Sequence, residues 1–155
     1  VGSPHGPSTI ESTFSSGSVS GDQYIGGLFG RVDDEVSIKA NYALGRVSGS
    51  YKYGGLLGDC YYCSGDSAEN YWVIDTTGMA TSAYGVNASG FSIVELQCPT
   101  SAGDLACANE IYSTWNSYTD ESGEPYWDFG SSTDLPGLRL NRTTYRDNNA
   151  DGILD

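Results

Sequence analysis

The chain has 155 residues, enough for one folded domain, and its 20 acidic and 7 basic side chains give a net charge of −13. This excess of negative charge argues against nucleic acid as a partner, because phosphates are bound by basic surfaces. No apolar run approaches the roughly 18 residues of a membrane-spanning helix, so we expect no membrane span.

The chain starts with VGSPHGPST, which has neither the basic nor the apolar stretch of a secretion signal. We therefore interpret the sequence as a mature or excised segment, with any signal lying upstream. Residues 1–9 are predicted to be an extended N-terminal segment. The other predicted parts are a repeat region over residues 10–88, a capping region over residues 89–140 and an acidic calcium-binding tail over residues 141–155.

An internal repeat organises the first half of the chain. FSSGSVSGDQYIGGLFG (14–30) matches YALGRVSGSYKYGGLLG (42–58) without a gap at an offset of 28, and a degenerate third copy starts at Asn70. Repeats of this length indicate stacked units, and the short alternating segments indicate strands. The repeat predicts an all-β solenoid of 28-residue coils; the alternative is a glycine-rich β-sandwich. We expect the repeated glycines to serve positive-φ turns and close approach of neighbouring backbones.

The repeated GGL-G core resembles a known family. The segments GGLFG (26–30) and GGLLG (54–58), each following an aromatic residue and a G-x-V-S-G strand, resemble the GLUG repeat of bacterial surface proteins. The later stretches NYWVIDTTGMATSAYG and WDFGSSTDLPGLRL resemble the segments that commonly come after such repeats, so that the resemblance covers roughly residues 10–140. It implies a right-handed β-helix, found in secreted adhesins, fibrous surface proteins and some peptidases that carry the repeat as an accessory.

The four cysteines are Cys60, Cys63, Cys98 and Cys107. Their C-x2-C and C-x8-C spacing could indicate a zinc site. However, the only histidine is His5, which is distant in sequence from all four cysteines. Two disulfides are favoured. The segment CPTSAGDLAC can turn back to join Cys98 to Cys107, and Cys60 then pairs with Cys63 by elimination. Disulfides imply an oxidising compartment.

Two N-x-S/T sequons begin at Asn87 and Asn141 and are candidate glycosylation sites. Sequons arise often by chance, but these two are compatible with secretion, as are the predicted disulfides. We therefore expect an extracellular or cell-surface location.

The segment of residues 89–118 breaks the repeat. Within it, SIVELQ predicts a helical turn with Ser92 as N-cap and Glu95 three residues on. A stack of coils exposes an apolar cross-section at its end. The disulfide-bearing segment with Trp115 and Trp127 is expected to cover that end.

Catalytic signals are weak, and we predict that the protein is not an enzyme. With His5 as the only histidine and the cysteines paired, Ser-His-Asp and Cys-His arrangements are disfavoured. Carboxylate pairs suited to glycoside cleavage occur only in polar loops, where charges are usually solvated. These carboxylates are Asp33, Asp34 and Glu35 in one loop, and Asp120, Glu121 and Glu124 in another.

Tyrosines cluster around the second repeat, at Tyr51, Tyr53, Tyr61, Tyr62 and Tyr71. Exposed aromatic faces on a β-structure can stack against sugars. The alternative is that these side chains are half-buried strand residues or form lateral contacts.

The closing run RDNNADGILD carries oxygen ligands at alternate positions. Asp147, Asn149 and Asp151 would supply side-chain oxygens to calcium, Ile153 a backbone carbonyl, and Asp155 a direct or water-mediated contact. The pattern also resembles thrombospondin type 3 calcium repeats. The alternative is an acidic, disordered tail.

The twelfth position of such a calcium loop would be residue 158, so we expect the remaining oxygens to come from a continuing chain or from a neighbouring molecule. In a neighbour, the donors would be the start VGSPHGPST or the acidic loop of residues 33–35.

The leading functional hypothesis is a structural module of a secreted bacterial surface or fibre-forming protein, which is stabilised by calcium and assembles head to tail or continues as part of a larger surface protein. The alternative is an adhesin module that binds glycans, and a glycoside hydrolase is third.

Overall fold

The computed structural model describes residues 8–33, 36–61, 63, 66–83, 86–97 and 111–155. Over these residues the protein is predominantly β, as the sequence predicts. The strands are β1 (Ser8–Ser15), β2 (Val19–Ser20), β3 (Gln23–Gly26), β4 (Phe29–Asp33), β5 (Val36–Ala43), β6 (Val47–Ser48), β7 (Tyr51–Gly54), β8 (Leu57–Tyr61), β9 (Ala68–Val73), β10 (Ala88–Phe91), β11 (Trp127–Asp128), β12 (Gly137–Leu140) and β13 (Thr143–Tyr145). The helices are α1 (Ile74–Thr77), α2 (Ile93–Leu96) and a 3-10 turn (Trp115–Ser117).

Strands of the first repeat pair in parallel with the matching strands of the second. β1, β5, β9 and β10 form one four-stranded sheet, and β2 pairs with β6, β3 with β7 and β4 with β8. In each of the pairs of β1–β4 with β5–β8 the partners are 28 residues apart, as at Ile10 and Ile38 or Val19 and Val47. The repeat length of the sequence is therefore the spacing of hydrogen-bonded neighbours.

The glycines of the repeat allow close backbone approach. A Cβ on Gly27 would lie 2.3 Å from the carbonyl oxygen of Gly55, and a Cβ on Gly45 would lie 2.1 Å from that of Gly17. Neither distance leaves room for a methyl group. This part of the expectation about glycine is confirmed.

The expectation that these glycines take positive φ is wrong. Among the described residues, positive φ in the first two repeats falls on other residue types. Ser12 and Ala40, 28 apart, have φ of 52° and 54°, and Tyr24 and Lys52, also 28 apart, have φ of 58° and 49°. The strands thus kink at the same place in both repeats, and the kink is imposed by packing, since nothing in these side chains favours it.

Side chains along β5 point alternately to its two faces, and the kink at Ala40 shifts this alternation by one residue. Before it, Val36 and Ile38 join a buried cluster made of side chains from β4, β5, β8 and β9. Beyond it, Tyr42 joins a second cluster on the opposite face, while Ala43 returns to the first. One strand therefore contributes to both apolar cores.

The second cluster joins the sheet to the C-terminal part of the chain. Phe14, Tyr42 and Tyr71 lie in register on β1, β5 and β9. The ring centroids of Tyr42 and Trp127 are 5.6 Å apart, and those of Tyr71 and Trp115 are 5.9 Å apart. The two tryptophans therefore pack against aromatic rings of three neighbouring strands of the sheet. That the segment around them covers the end of the stack stays a prediction.

Two smaller features complete the fold. Strands β11, β12 and β13 form an antiparallel sheet. The predicted capping box at α2 is confirmed, since the Ser92 hydroxyl accepts from Glu95 N at 3.3 Å and Ser92 N donates to Glu95 Oε2 at 2.8 Å. Within the described ranges, no helix is long and apolar enough to cross a membrane.

Candidate functional site

The C-terminal loop is built from nested side-chain turns. The Asp147 carboxylate accepts from Asp151 N at 3.2 Å and from Gly152 N at 2.9 Å. Asn149 Oδ1 accepts from Asp151 N at 3.1 Å, and Asp151 Oδ1 accepts from Ile153 N at 2.8 Å. Gly152 has a φ of 87°, the left-handed conformation that the sixth position of the pattern requires.

The last residue closes the loop, and the loop lies beside the first repeat. Asp155 Oδ2 accepts from Asn148 N at 2.8 Å, while Asp155 N donates to Arg146 O at 2.7 Å. A Cβ placed on Gly152 would lie 3.5 Å from the carbonyl oxygen of Ser16. The loop is therefore adjacent to the turn between β1 and β2.

The donors of this loop fit calcium by type, because calcium binds carboxylate, amide and backbone oxygens. Asp147 is fully buried, and no basic side chain of the described residues lies within 4.0 Å of it. A buried carboxylate without a cation is costly. However, nowhere in the described part of the chain are three or more His, Cys, Asp or Glu side chains grouped to hold a metal. Instead, the carboxylates of the loop accept hydrogen bonds from backbone N–H groups.

Cys60 and Cys63 form the predicted disulfide. The bond closes a short ring at the end of β8, and both side chains pack against the cluster that contains Val32. The pairing removes these two sulfurs as zinc ligands. Cys98 and Cys107 lie outside the described residues, so their predicted pairing stays a prediction.

Both sequon asparagines are exposed. Asn87 precedes β10 and has a φ of 43°, and Asn141 has a φ of 51° in the turn between β12 and β13. Glycosylation requires an exposed asparagine, and both residues are exposed. Their modification remains a prediction.

The predicted tyrosine cluster divides into buried and exposed members. Tyr71 is 7% exposed and packs in the aromatic core, whereas the exposed fractions of Tyr51, Tyr53 and Tyr61 are 54%, 45% and 55%. Tyr62 lies outside the described residues. Tyr24, which the sequence analysis did not select, lies beside Tyr51 with a ring-centroid distance of 6.2 Å.

Two basic side chains lie over these rings. The Arg31 guanidinium is 5.2 Å from the ring centroid of Tyr24 and 5.6 Å from that of Tyr61. The Lys52 ammonium is 5.7 Å from Tyr24 and 5.8 Å from Tyr51. Such cation–π contacts orient both partners.

Carboxylates neutralise both cations. Arg31 Nε lies 2.7 Å from Asp33 Oδ1, and Lys52 Nζ lies 3.0 Å from Asp59 Oδ1. The hydrogen bond with Asp33 raises the pKa of Arg31, and the hydrogen bond with Asp59 raises the pKa of Lys52. Asp33, predicted as a member of an acidic loop, is thus an ion-pair partner. Asp34 and Glu35 lie outside the described residues.

The second acidic loop lines an open cleft of about 630 Å³ together with Arg139 and Arg142. Asp120 accepts from the Ser122 hydroxyl at 2.6 Å and from Glu124 N at 3.1 Å, and these hydrogen bonds lower the pKa of Asp120. A general acid for glycoside cleavage needs a raised pKa. The environment of Asp120 therefore opposes that role.

An asparagine pair is the buried polar feature that sequence reasoning missed. Asn41 Nδ2 donates to Asn70 Oδ1 at 3.0 Å, and Asn41 Oδ1 accepts from Thr13 N at 2.9 Å. Asn70 Nδ2 in turn donates to Ile38 O at 2.6 Å and Val86 O at 2.9 Å. The available signal was the dipeptide Asn-Tyr, which occurs in both NYALG and NYWVI.

Comparisons of this chain with known protein families, with curated proteins and with solved structures find no match.

Proposed function

We propose that the protein is a non-enzymatic structural module of a secreted bacterial surface or fibre-forming protein, built as a right-handed β-solenoid. The observation that carries this proposal is the parallel pairing of β1–β4 with β5–β8 at a constant offset of 28 residues. All four strands of the second repeat lie beside their counterparts in the first, so the chain advances by one strand spacing per repeat. Parallel connections of this kind are almost always right-handed. The segments GGLFG and GGLLG are, in this proposal, GLUG-like repeats.

Self-assembly follows from the edge of the first repeat. Within the described ranges, no strand pairs with the outer side of β1 (Ser8–Ser15), an edge of eight residues. Unpaired parallel edges are templates for a further strand. Joining this edge to the other end of a second copy is a heterologous contact, which generates open filaments when it does not close into a ring.

Calcium would stabilise the C-terminal loop in this proposal. Asp147, Asn149 and Asp151 would hold the ion by their side chains, Ile153 by its carbonyl, and Asp155 directly or through water. The ion would supply the positive charge that the buried Asp147 lacks among the described residues. Because the loop adjoins the turn after β1, its order would also affect the open edge of the first repeat.

The location proposed is extracellular or on the cell surface. The support is the Cys60–Cys63 disulfide, since such bonds persist in oxidising compartments. The lowered pKa of Asp120 disfavours this residue as the general acid of a glycoside hydrolase.

Negative-stain electron microscopy with millimolar calcium or with excess chelator tests this function. We expect filaments with calcium and mainly monomers with chelator. Asp147→Asn should behave like the chelated protein, because it removes the central carboxylate. Glu121→Gln, which removes the same charge from an exposed position, should form filaments normally. Monomers under all conditions would refute assembly, and filaments that are indifferent to chelator would refute the calcium requirement.

A further inference from the structure

The strands β3, β4, β7 and β8 carry a concentrated surface of aromatic and charged side chains. We name it the tyrosine face and define it by six residues: Tyr24, Arg31, Tyr51, Lys52, Asp59 and Tyr61. More than half of Tyr51 and Tyr61 is exposed although each ring already contacts a cation. Exposed apolar groups that are gathered in one place, rather than scattered singly, mark binding surfaces.

We propose that the tyrosine face binds neutral polysaccharide. The apolar C–H face of a pyranose ring would stack on Tyr51 and Tyr61. Its hydroxyl groups would exchange hydrogen bonds with the tyrosine hydroxyls, with the Arg31 guanidinium and with the Asp59 carboxylate. Rigid aromatic surface bordered by a few polar groups is the usual composition of a site that recognises polar ligands.

Charge favours a neutral ligand over an acidic one. The positive charges of Arg31 and Lys52 are each matched by a carboxylate, at 2.7 Å from Asp33 and 3.0 Å from Asp59. Among the described residues of this surface the charges of Arg31 and Lys52 are therefore balanced, and the whole chain carries a net charge of −13. A polyanion would be repelled at long range and would have to break these ion pairs in order to bind.

The rings are held in place before any ligand arrives. Arg31 lies over two of them and Lys52 over two, and the hydrogen bonds to carboxylates fix both cations. Tyrosine loses little conformational entropy on binding, and rings that are already oriented lose less. Binding should therefore require no rearrangement of β3 or β7.

The position of the face makes it independent of the assembly proposal. Tyr24 lies on β3 and Tyr51 on β7, which pair with each other, so that the surface spans neighbouring strands rather than the open edge of β1. A monomer would bind through the same residues. If filaments do form, the face recurs along them and increases avidity.

Affinity gel electrophoresis of the full chain tests the proposal. The probes are four neutral polysaccharides tested separately (xyloglucan, galactomannan, mixed-linkage β-glucan and dextran) and two polyanions (polygalacturonate and alginate). We expect at least one neutral polymer to retard the protein and neither polyanion to do so. Tyr51→Ala and Tyr61→Ala should each weaken that retardation by at least about tenfold, as is usual for a central aromatic contact.

Tyr145→Ala is the matched control, since Tyr145 is 38% exposed on β13, outside the tyrosine face. It should retain full binding, and all three variants should melt as the parent does because each side chain is exposed. The proposal is overturned if no neutral polymer retards the protein, if only a polyanion does, or if Tyr145→Ala weakens binding as much as Tyr51→Ala. Concentration-dependent dimers that Tyr51→Ala abolishes, without polysaccharide binding, would assign the face to a second copy instead.

Discussion

Buried polar side chains define the interior at the scale of single residues. Asn41 is fully buried, and its amide contacts Ile10 O at 3.3 Å, Lys39 O at 2.8 Å and Asn70 Oδ1 at 3.0 Å. Asn70 is buried in the same way at the next strand. Such an amide satisfies backbone groups that the kinked strands leave unpaired, because buried polar groups need partners.

We predict that Asn41→Ala lowers the free energy of unfolding by about 2–4 kcal/mol, because Asn70 Oδ1 and Thr13 N would lose their partner in the interior. Urea denaturation followed by tyrosine and tryptophan fluorescence measures the change. Asn116→Ala is the control at an exposed asparagine and should stay within about 0.5 kcal/mol of the parent. An Asn41→Ala protein as stable as the Asn116→Ala protein would contradict the role given to this side chain.

At the scale of elements, the sequence predicted the repeat but not the kinks. The 28-residue register was readable because identical residues, such as the glycines at 26 and 54, occupy matching places. Positive φ at Ser12 and Ala40 was not readable, since neither residue type favours that conformation. Tertiary packing decides it, because the kink directs Tyr42 toward the aromatic cluster and leaves Ala43 in the other core.

Gly27→Ala tests the close approach of the repeats. Its Cβ would lie 2.3 Å from the Gly55 carbonyl oxygen and 2.8 Å from the Ala43 Cβ, so the strands would have to separate. We expect a loss of about 2 kcal/mol or more in the free energy of unfolding, measured by urea denaturation.

Gly17→Ala provides the comparison within the same repeat. A Cβ there meets nothing within 4 Å, and φ is not positive. This variant should be neutral or slightly stabilising, because alanine restricts the unfolded chain more than glycine does. Equal destabilisation by the two substitutions would show that backbone approach is not what requires glycine at residue 27.

The whole molecule combines a stack of parallel strands with an aromatic C-terminal segment on one face. Composition and repeat length predicted the β class, but the placement of Trp115 and Trp127 depends on rings from three distant segments and could not be read from the chain. The spacing of the C-terminal run predicted a calcium loop, and its binding of calcium stays a prediction. The nested turns of this loop are made by local hydrogen bonds. By contrast, the contacts of Tyr24 with Arg31 and Lys52 arise only when the repeats stack.

In-register stacking of the two repeats is the central claim, since both the proposed assembly and the proposed binding by the tyrosine face depend on it. Ser20 and Ser48 are exposed and directly paired on β2 and β6. Neighbouring strands are about 4.8 Å apart, within the Cα separation that a disulfide bridges. The measurement is non-reducing peptide mass spectrometry of Ser20→Cys/Ser48→Cys after mild oxidation, with Ser18→Cys/Ser48→Cys as the out-of-register control.

We predict that the Ser20→Cys/Ser48→Cys pair cross-links almost completely within one chain while the thermal melt is retained. The control pair should remain largely uncross-linked, because Ser18 precedes β2 and is offset by two residues from Ser20, the partner of Ser48. Failure of the first pair to cross-link, or equal cross-linking of both pairs, would contradict parallel stacking at a 28-residue register.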